Sequence, residues 1–134
     1  MKKQLLIFSA IFLLSLSSAY GQKIKVIYDT DLGGDIDDAY ALALLLASPE
    51  IELIGIVTDH GNTPKAAAIA CRMLYETGKE KIPVVAGRKT GDHMSAQYYW
   101  GEGFDKVVPS SQPGADFIIE QLRKNPGEIT LITV

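Results

Sequence analysis

The chain has 134 residues, a formal net charge of −3, and 47% hydrophobic against 22% charged residues. That length is one domain or part of one, and the composition excludes a disordered chain. Mild acidity without a basic cluster excludes a nucleic-acid-binding footprint.

The chain opens with Met1-Lys2-Lys3-Gln4, an apolar run from Leu5 to Leu16, then Ser17-Ser18-Ala19-Tyr20-Gly21-Gln22. A positive start, an apolar centre and a small-residue exit describe a secretory signal peptide over residues 1–21, cleaved after Ala19 or Gly21. The apolar run falls short of the ~20 residues that span a bilayer, so no stable membrane anchor is expected. The protein is therefore expected to be exported, to a periplasm or the medium. Residues 22–134 form the remaining domain. Cys71 is the single cysteine. It cannot form an intramolecular disulfide, and its alanine-rich surroundings read as the buried side of a helix.

Ile24 to Tyr28 is β-rich and short, and predicts a strand. An acidic turn follows. Ala39 to Ala47 contains helix formers and is apolar on nearly every face, which predicts a helix buried within a larger protein. Ser48-Pro49 ends it. Ile51 to Thr58 is almost continuously apolar, as a parallel strand covered on both faces would be. Asp59-His60-Gly61-Asn62 forms the next loop. Thr63 and Pro64 then start a helix that runs to about Thr77, with Gly78 as its cap.

Ile82 to Ala86 predicts a third strand. Gly87 to Pro113 is long, polar and glycine-containing, with aromatics at Tyr98, Tyr99 and Trp100. Such a stretch predicts a mobile flap. His93, within it, reads as solvated. Asp116 to Lys124 has helical period and is stopped by Asn125-Pro126-Gly127. Ile129 to Val134 predicts a fourth, core strand. Strand and helix alternate throughout, so the expected fold class is α/β: a parallel, Rossmann-like sheet with helices on both faces. Ending on a core-type strand, the chain reads as the N-terminal portion of a longer protein, truncated after its fourth strand.

The turn reads Asp29-Thr30-Asp31-Leu32-Gly33-Gly34-Asp35-Ile36-Asp37-Asp38. In a doubly wound sheet, the turn after a strand's C-terminal end faces the ligand crevice. Carboxylates gathered there repel one another, and a bound cation compensates. All-oxygen donors select a hard ion, Ca²⁺ or Mg²⁺. An EF-hand needs Glu at its twelfth position. Counted from Asp29 that position is Tyr40, and counted from Asp31 it is Leu42, so the EF-hand is rejected. Asp29-x-Asp31 matches the pair of a haloacid-dehalogenase-type Mg²⁺ phosphatase. Those enzymes carry Thr or Val where this chain has Gly33. A non-catalytic calcium- or sugar-binding module is the other alternative.

The run from Asp29 to Ala39, with Ala41-Leu42, resembles the N-terminal signature of the inosine–uridine-preferring nucleoside hydrolases. Ile51 to Thr58 with Gly61-Asn62 is similar to the family's second strand and Gly-Asn loop. Pro83 to Gly87 is similar to its third strand. Asp116 to Glu120 with Pro126 to Leu131 resembles the helix and strand before a Gly-Pro-Leu-Thr-Asn segment.

The resemblance implies hydrolysis of the N-glycosidic bond of ribonucleosides to ribose and free base. In that family Ca²⁺ binds ribose hydroxyls and a water, and an aspartate ligand deprotonates that water. Asp31 matches the general base and metal ligand, and Asp38 the second carboxylate ligand. Val134 matches a main-chain carbonyl ligand. Asp37 matches the residue holding ribose hydroxyls, and Asn62 an asparagine near the sugar. Asp29 and Asp35 are further metal candidates. The turn is two residues longer than the compact family signature, so Asp37 and Asp38 are placed by register with the following helix. The resemblance also implies a nucleoside as small-molecule partner, no nucleic-acid polymer, and a homo-oligomer for a full-length form. The present chain is expected to be inactive alone. His60, Tyr98, Tyr99 and Trp100 are secondary candidates for substrate contact.

Overall fold

A computed structural model describes residues 22–134. The signal peptide read at residues 1–21 lies outside the described residues. In chain order the elements are β1 (Ile24–Thr30), α1 (Asp37–Ala47), β2 (Ile51–Thr58), α2 (Thr63–Glu76), β3 (Val84–Ala86), α3 (Tyr98–Gly101), α4 (Gly114–Lys124) and β4 (Ile129–Thr133). No helix among the described residues is long and apolar enough to cross a membrane.

The four strands form one parallel sheet in the order β3-β2-β1-β4. Strands β1 to β3 add in one direction, and β4 then returns to the free side of β1. The direction of winding reverses there, so the crevice between the C-terminal ends of β1 and β4 is the topological switch point. The register runs Asp29 opposite both Val57 of β2 and Thr133 of β4.

Strand alternation sends Val26 and Tyr28 into the larger core with Leu42, Leu45, Leu46, Ile56, Ala66, Ala70 and Leu74, beneath α1 and α2. Ile27, Val57 and Val85 face the other way, onto Phe117 of α4. Helices thus cover both faces, as the alternating sequence predicts. A register shift between Val26 and Ile27 against β2 leaves Ile54 as an extra residue. Gly55 beside it lies under the Phe117 ring: a Cβ there would meet Cζ at 2.4 Å.

The observed elements refine the expected ones. Strand β1 continues two residues beyond Tyr28, and β3 is shorter than Ile82 to Ala86. Helix α1 buries Asp38, Leu42, Leu45 and Leu46 against the sheet and presents Ile36, Tyr40 and Leu44 on its other side. Among the described residues β4 stands last in the sheet, beside β1, with Leu131 exposed. The stretch after β3 is no free flap. Ser110 bridges to Val85, Thr90 and Gly61 exchange hydrogen bonds, and Tyr98 is buried in the main core.

Candidate active site at the switch point

The turn after β1 stands at the C-terminal edge of the sheet, flanked by β4. Asp31, Asp35, Asp37 and Asp38 line one cleft of about 340 Å³ with Gly34, His93, Ser95 and Val134. The residues read as base, metal ligands and ribose binder are therefore brought together, and Val134 arrives from β4 across the switch point. Its amide donates to the Asp29 carbonyl at 3.2 Å.

Asp38 is the anchored member. It is buried in the first turn of α1. Thr30 Oγ1 donates to its Oδ1 at 2.6 Å, and the Tyr28 hydroxyl donates to its main-chain carbonyl at 3.0 Å. Tyr28 and Thr30 share a face of β1 because strand side chains repeat every second residue. Burial holds the Asp38 carboxyl above the usual carboxylate range. Donation from Thr30 opposes that shift, and the neighbouring Asp31 and Asp37 carboxyls add to it. Burial also raises the Tyr28 phenol to about 12, with the Asp38 and Asp37 charges contributing.

Asp29 takes the opposite face. It does not line the cleft, and its Oδ1 is buried without a hydrogen-bond partner among the described residues. Burial and the charge of Asp59 push its carboxyl up to about 6. The same strand period that turns Thr30 toward Asp38 turns Asp29 to the other face of β1, while Asp31, in the turn beyond the strand, lines the cleft.

Asn62 is buried and precedes α2 without a side-chain cap bond. It lies outside the cleft lining. Its main-chain N–H reaches the Tyr98 hydroxyl, and burial together with the Asp31 charge raises that phenol against this contact. Tyr98 therefore lies between the Asn62 loop and the acidic turn. Gln97 completes the link: its Nε2 donates to the carbonyls of Gly34 at 2.8 Å and Asp35 at 3.1 Å. His60 is exposed and does not line the cleft, whereas His93, also exposed, does.

Sequence reasoning missed Thr30, Gln97 and Ser95. Extending β1 to Thr30 would have exposed the first through its period with Tyr28. The other two lie some sixty residues from the turn in sequence and carry no local signal.

The donor set consists of oxygens: two adjacent carboxylates, Asp31 and Asp38, with Asp37 and a main-chain carbonyl nearby. Among the described residues no three His, Cys, Asp or Glu side chains converge closely enough to hold an ion alone. The burial and neighbouring carboxyls that lift Asp38 would be offset by a hard cation, whose remaining positions suit main-chain oxygen, water and ligand hydroxyls. The residues fit such an ion.

The chain matches the inosine–uridine preferring nucleoside hydrolase family over residues 26–134. It is 34% identical to a probable uridine nucleosidase 2 of Arabidopsis thaliana, across 87% of this chain and 40% of that protein. It is 32% identical to a pyrimidine-specific ribonucleoside hydrolase of Citrobacter koseri, across 81% of this chain and 38% of that protein. A solved plant nucleoside hydrolase superposes with a TM-score of 0.68 at 31% identity, covering 82% of this chain and 39% of its own. The chain thus spans about two-fifths of the length of these relatives. A family match over nearly all described residues, on a fold whose acidic turn lies at the switch point, shows that this chain belongs to the inosine–uridine preferring nucleoside hydrolase family.

Proposed function

We propose that the protein hydrolyses the N-glycosidic bond of ribonucleosides, with the acidic turn as the centre of the site. The observation that carries this reading is the gathering of Asp31, Asp37, Asp38 and Val134 in one cleft of a chain from this family. Asp31, Asp38 and the Val134 carbonyl would hold Ca²⁺. Bound there, the ion would orient ribose hydroxyls and acidify a water molecule.

The chain's own residues supply the rest. Asp31 takes a proton from the attacking water as general base. The water oxygen bonds to the anomeric carbon as the C–N bond breaks, and the base leaves with the bonding pair and takes up a proton. Asp37 accepts hydrogen bonds from the ribose hydroxyls, and the Asn62 loop borders the sugar. Thr30 donates to Asp38 and so opposes the upward shift that burial imposes on its carboxyl. Asp35 lines the same cleft but is exposed at the tip of the turn, so we assign it a minor share of the ion. Asp29, on the other face, supports the turn from behind. The substrate is a small nucleoside. Two relatives carry the names uridine nucleosidase and pyrimidine-specific ribonucleoside hydrolase, which makes uridine the first substrate to assay.

Ribose release from uridine and inosine by a full-length form, followed as new reducing ends, tests the activity; the present chain alone should release none. Turnover should need Ca²⁺ and fall about a hundredfold or more in Asp31→Asn. Undiminished turnover in Asp31→Asn, or in protein stripped by chelator, would overturn the reading.

A further inference from the structure

We propose that Gln97 is a positioning residue for the acidic turn: its side-chain amide, clamped on the main chain of Gly34 and Asp35, sets how Asp31 meets Asp37 and Asp38. The inference rests on the cation-site reading above, but its geometry stands apart from it.

A turn with two residues more than the compact signature has two more pairs of soft backbone torsions to settle. Within the turn the main chain makes few bonds of its own. The Gly34 amide donates to the Asp31 carbonyl at 3.2 Å, and the Tyr40 amide to the Ile36 carbonyl at 3.2 Å. The carbonyls of Gly34 and Asp35 lie between these two bonds, and both accept from one amide nitrogen, Gln97 Nε2, at 2.8 and 3.1 Å. Gln97 therefore binds the segment that separates Asp31 from the Asp37-Asp38 pair.

The clamp is itself fixed. The next residue, Tyr98, is buried, and its ring lies so near Gly33 that a Cβ there would meet Cε1 at 2.5 Å. The main-chain N–H of Gln97 also donates to the Ser95 hydroxyl at 3.2 Å. One side chain anchors the segment beneath the turn, and its neighbour grips the turn from outside. A two-point attachment of this kind restricts rotation as well as translation. It also brings His93 and Ser95 to the cleft opposite the carboxylates.

The test compares wild type with Gln97→Ala and Gln97→Glu, the second nearly isosteric but without the donor pair. Amide exchange by NMR should show Gly34 and Tyr40 exchanging about tenfold faster in both variants. The amides of Ile56 and Val57 in β2 should keep their rates. Unchanged Gly34 exchange, or an equal rise throughout the sheet, would overturn the clamp. Tb³⁺ luminescence then reads the consequence for the carboxylates: affinity should fall about tenfold, as losses of supporting contacts around ions commonly do. An unchanged Tb³⁺ affinity beside faster Gly34 exchange would overturn the positioning role. If wild type binds no Tb³⁺, the cation reading fails, while the exchange rates still decide the clamp.

Discussion

Thr30 Oγ1 donates a 2.6 Å hydrogen bond to Oδ1 of Asp38, joining the last residue of β1 to the first turn of α1. Both residues are buried. The bond links the sheet edge to the carboxylate that the site depends on, and it opposes the upward shift that burial imposes on that carboxyl. Thr30→Val keeps the shape and removes the donor. It should cost about 1–3 kcal/mol of stability, because a buried carboxylate loses a partner. Urea unfolding of Thr30→Val beside Thr30→Ser checks this. Serine should recover most of the loss, and equal losses in both would show that methyl packing is the cause.

Gly33 has φ +101°, a conformation that L side chains rarely adopt, and the Tyr98 ring fills the space where a Cβ would stand. Gly33→Ala should therefore destabilise the protein by about 2 kcal/mol or more. Adding Tyr98→Ala removes the clash but not the backbone strain. The double variant should show no further gain over Tyr98→Ala alone, and thermal unfolding of the three proteins separates the two causes.

Gly55 opens the floor on which Phe117 rests, 2.4 Å from a would-be Cβ. Gly55→Ala should push α4 off the sheet and cost about 1–3 kcal/mol, the usual range for overpacking. Phe117→Leu should partly relieve that cost, so that the double-variant loss is less than the sum of the single losses. Strict additivity in chemical denaturation would refute the contact.

Burial raises the Cys71 thiol to about 11, and the residue is fully enclosed on the core face of α2. A raised thiol stays neutral throughout the physiological range and contributes no pH-dependent stability there. Only as pH climbs from the ordinary thiol value of 9.0 toward 11 does its ionisation disfavour the fold. Iodoacetamide at pH 8 should leave Cys71 unmodified in the folded protein and alkylate it in denaturant. Mass spectrometry of the intact chain reads both states.

Local reading reached the elements because their causes are local. Alternating apolar runs, the Thr63-Pro64 helix start and the Asn125-Pro126-Gly127 stop each act over a few residues. It reached the acidic turn because Asp31, Asp35, Asp37 and Asp38 are covalent neighbours. It went astray where a local pattern had two tertiary outcomes. An aromatic cluster such as Tyr98-Tyr99-Trp100 suits a flap or an anchor, and Tyr98 is an anchor.

By itself, the sequence determined the α/β alternation, the family and the carboxylate-rich turn, since strand period, helix formers and motif spacing are properties of neighbouring residues. Only the tertiary structure decided that β4 returns beside β1 and makes the turn a switch-point crevice. It alone turned Asp29 away from Thr30, which reaches Asp38 of α1 from the other face of β1. It alone placed Gln97 against Gly34, 63 residues away. The physical reason is the same in each case: contacts between distant segments are chosen by burial and hydrogen-bond satisfaction over the whole sheet, and no local window contains both partners.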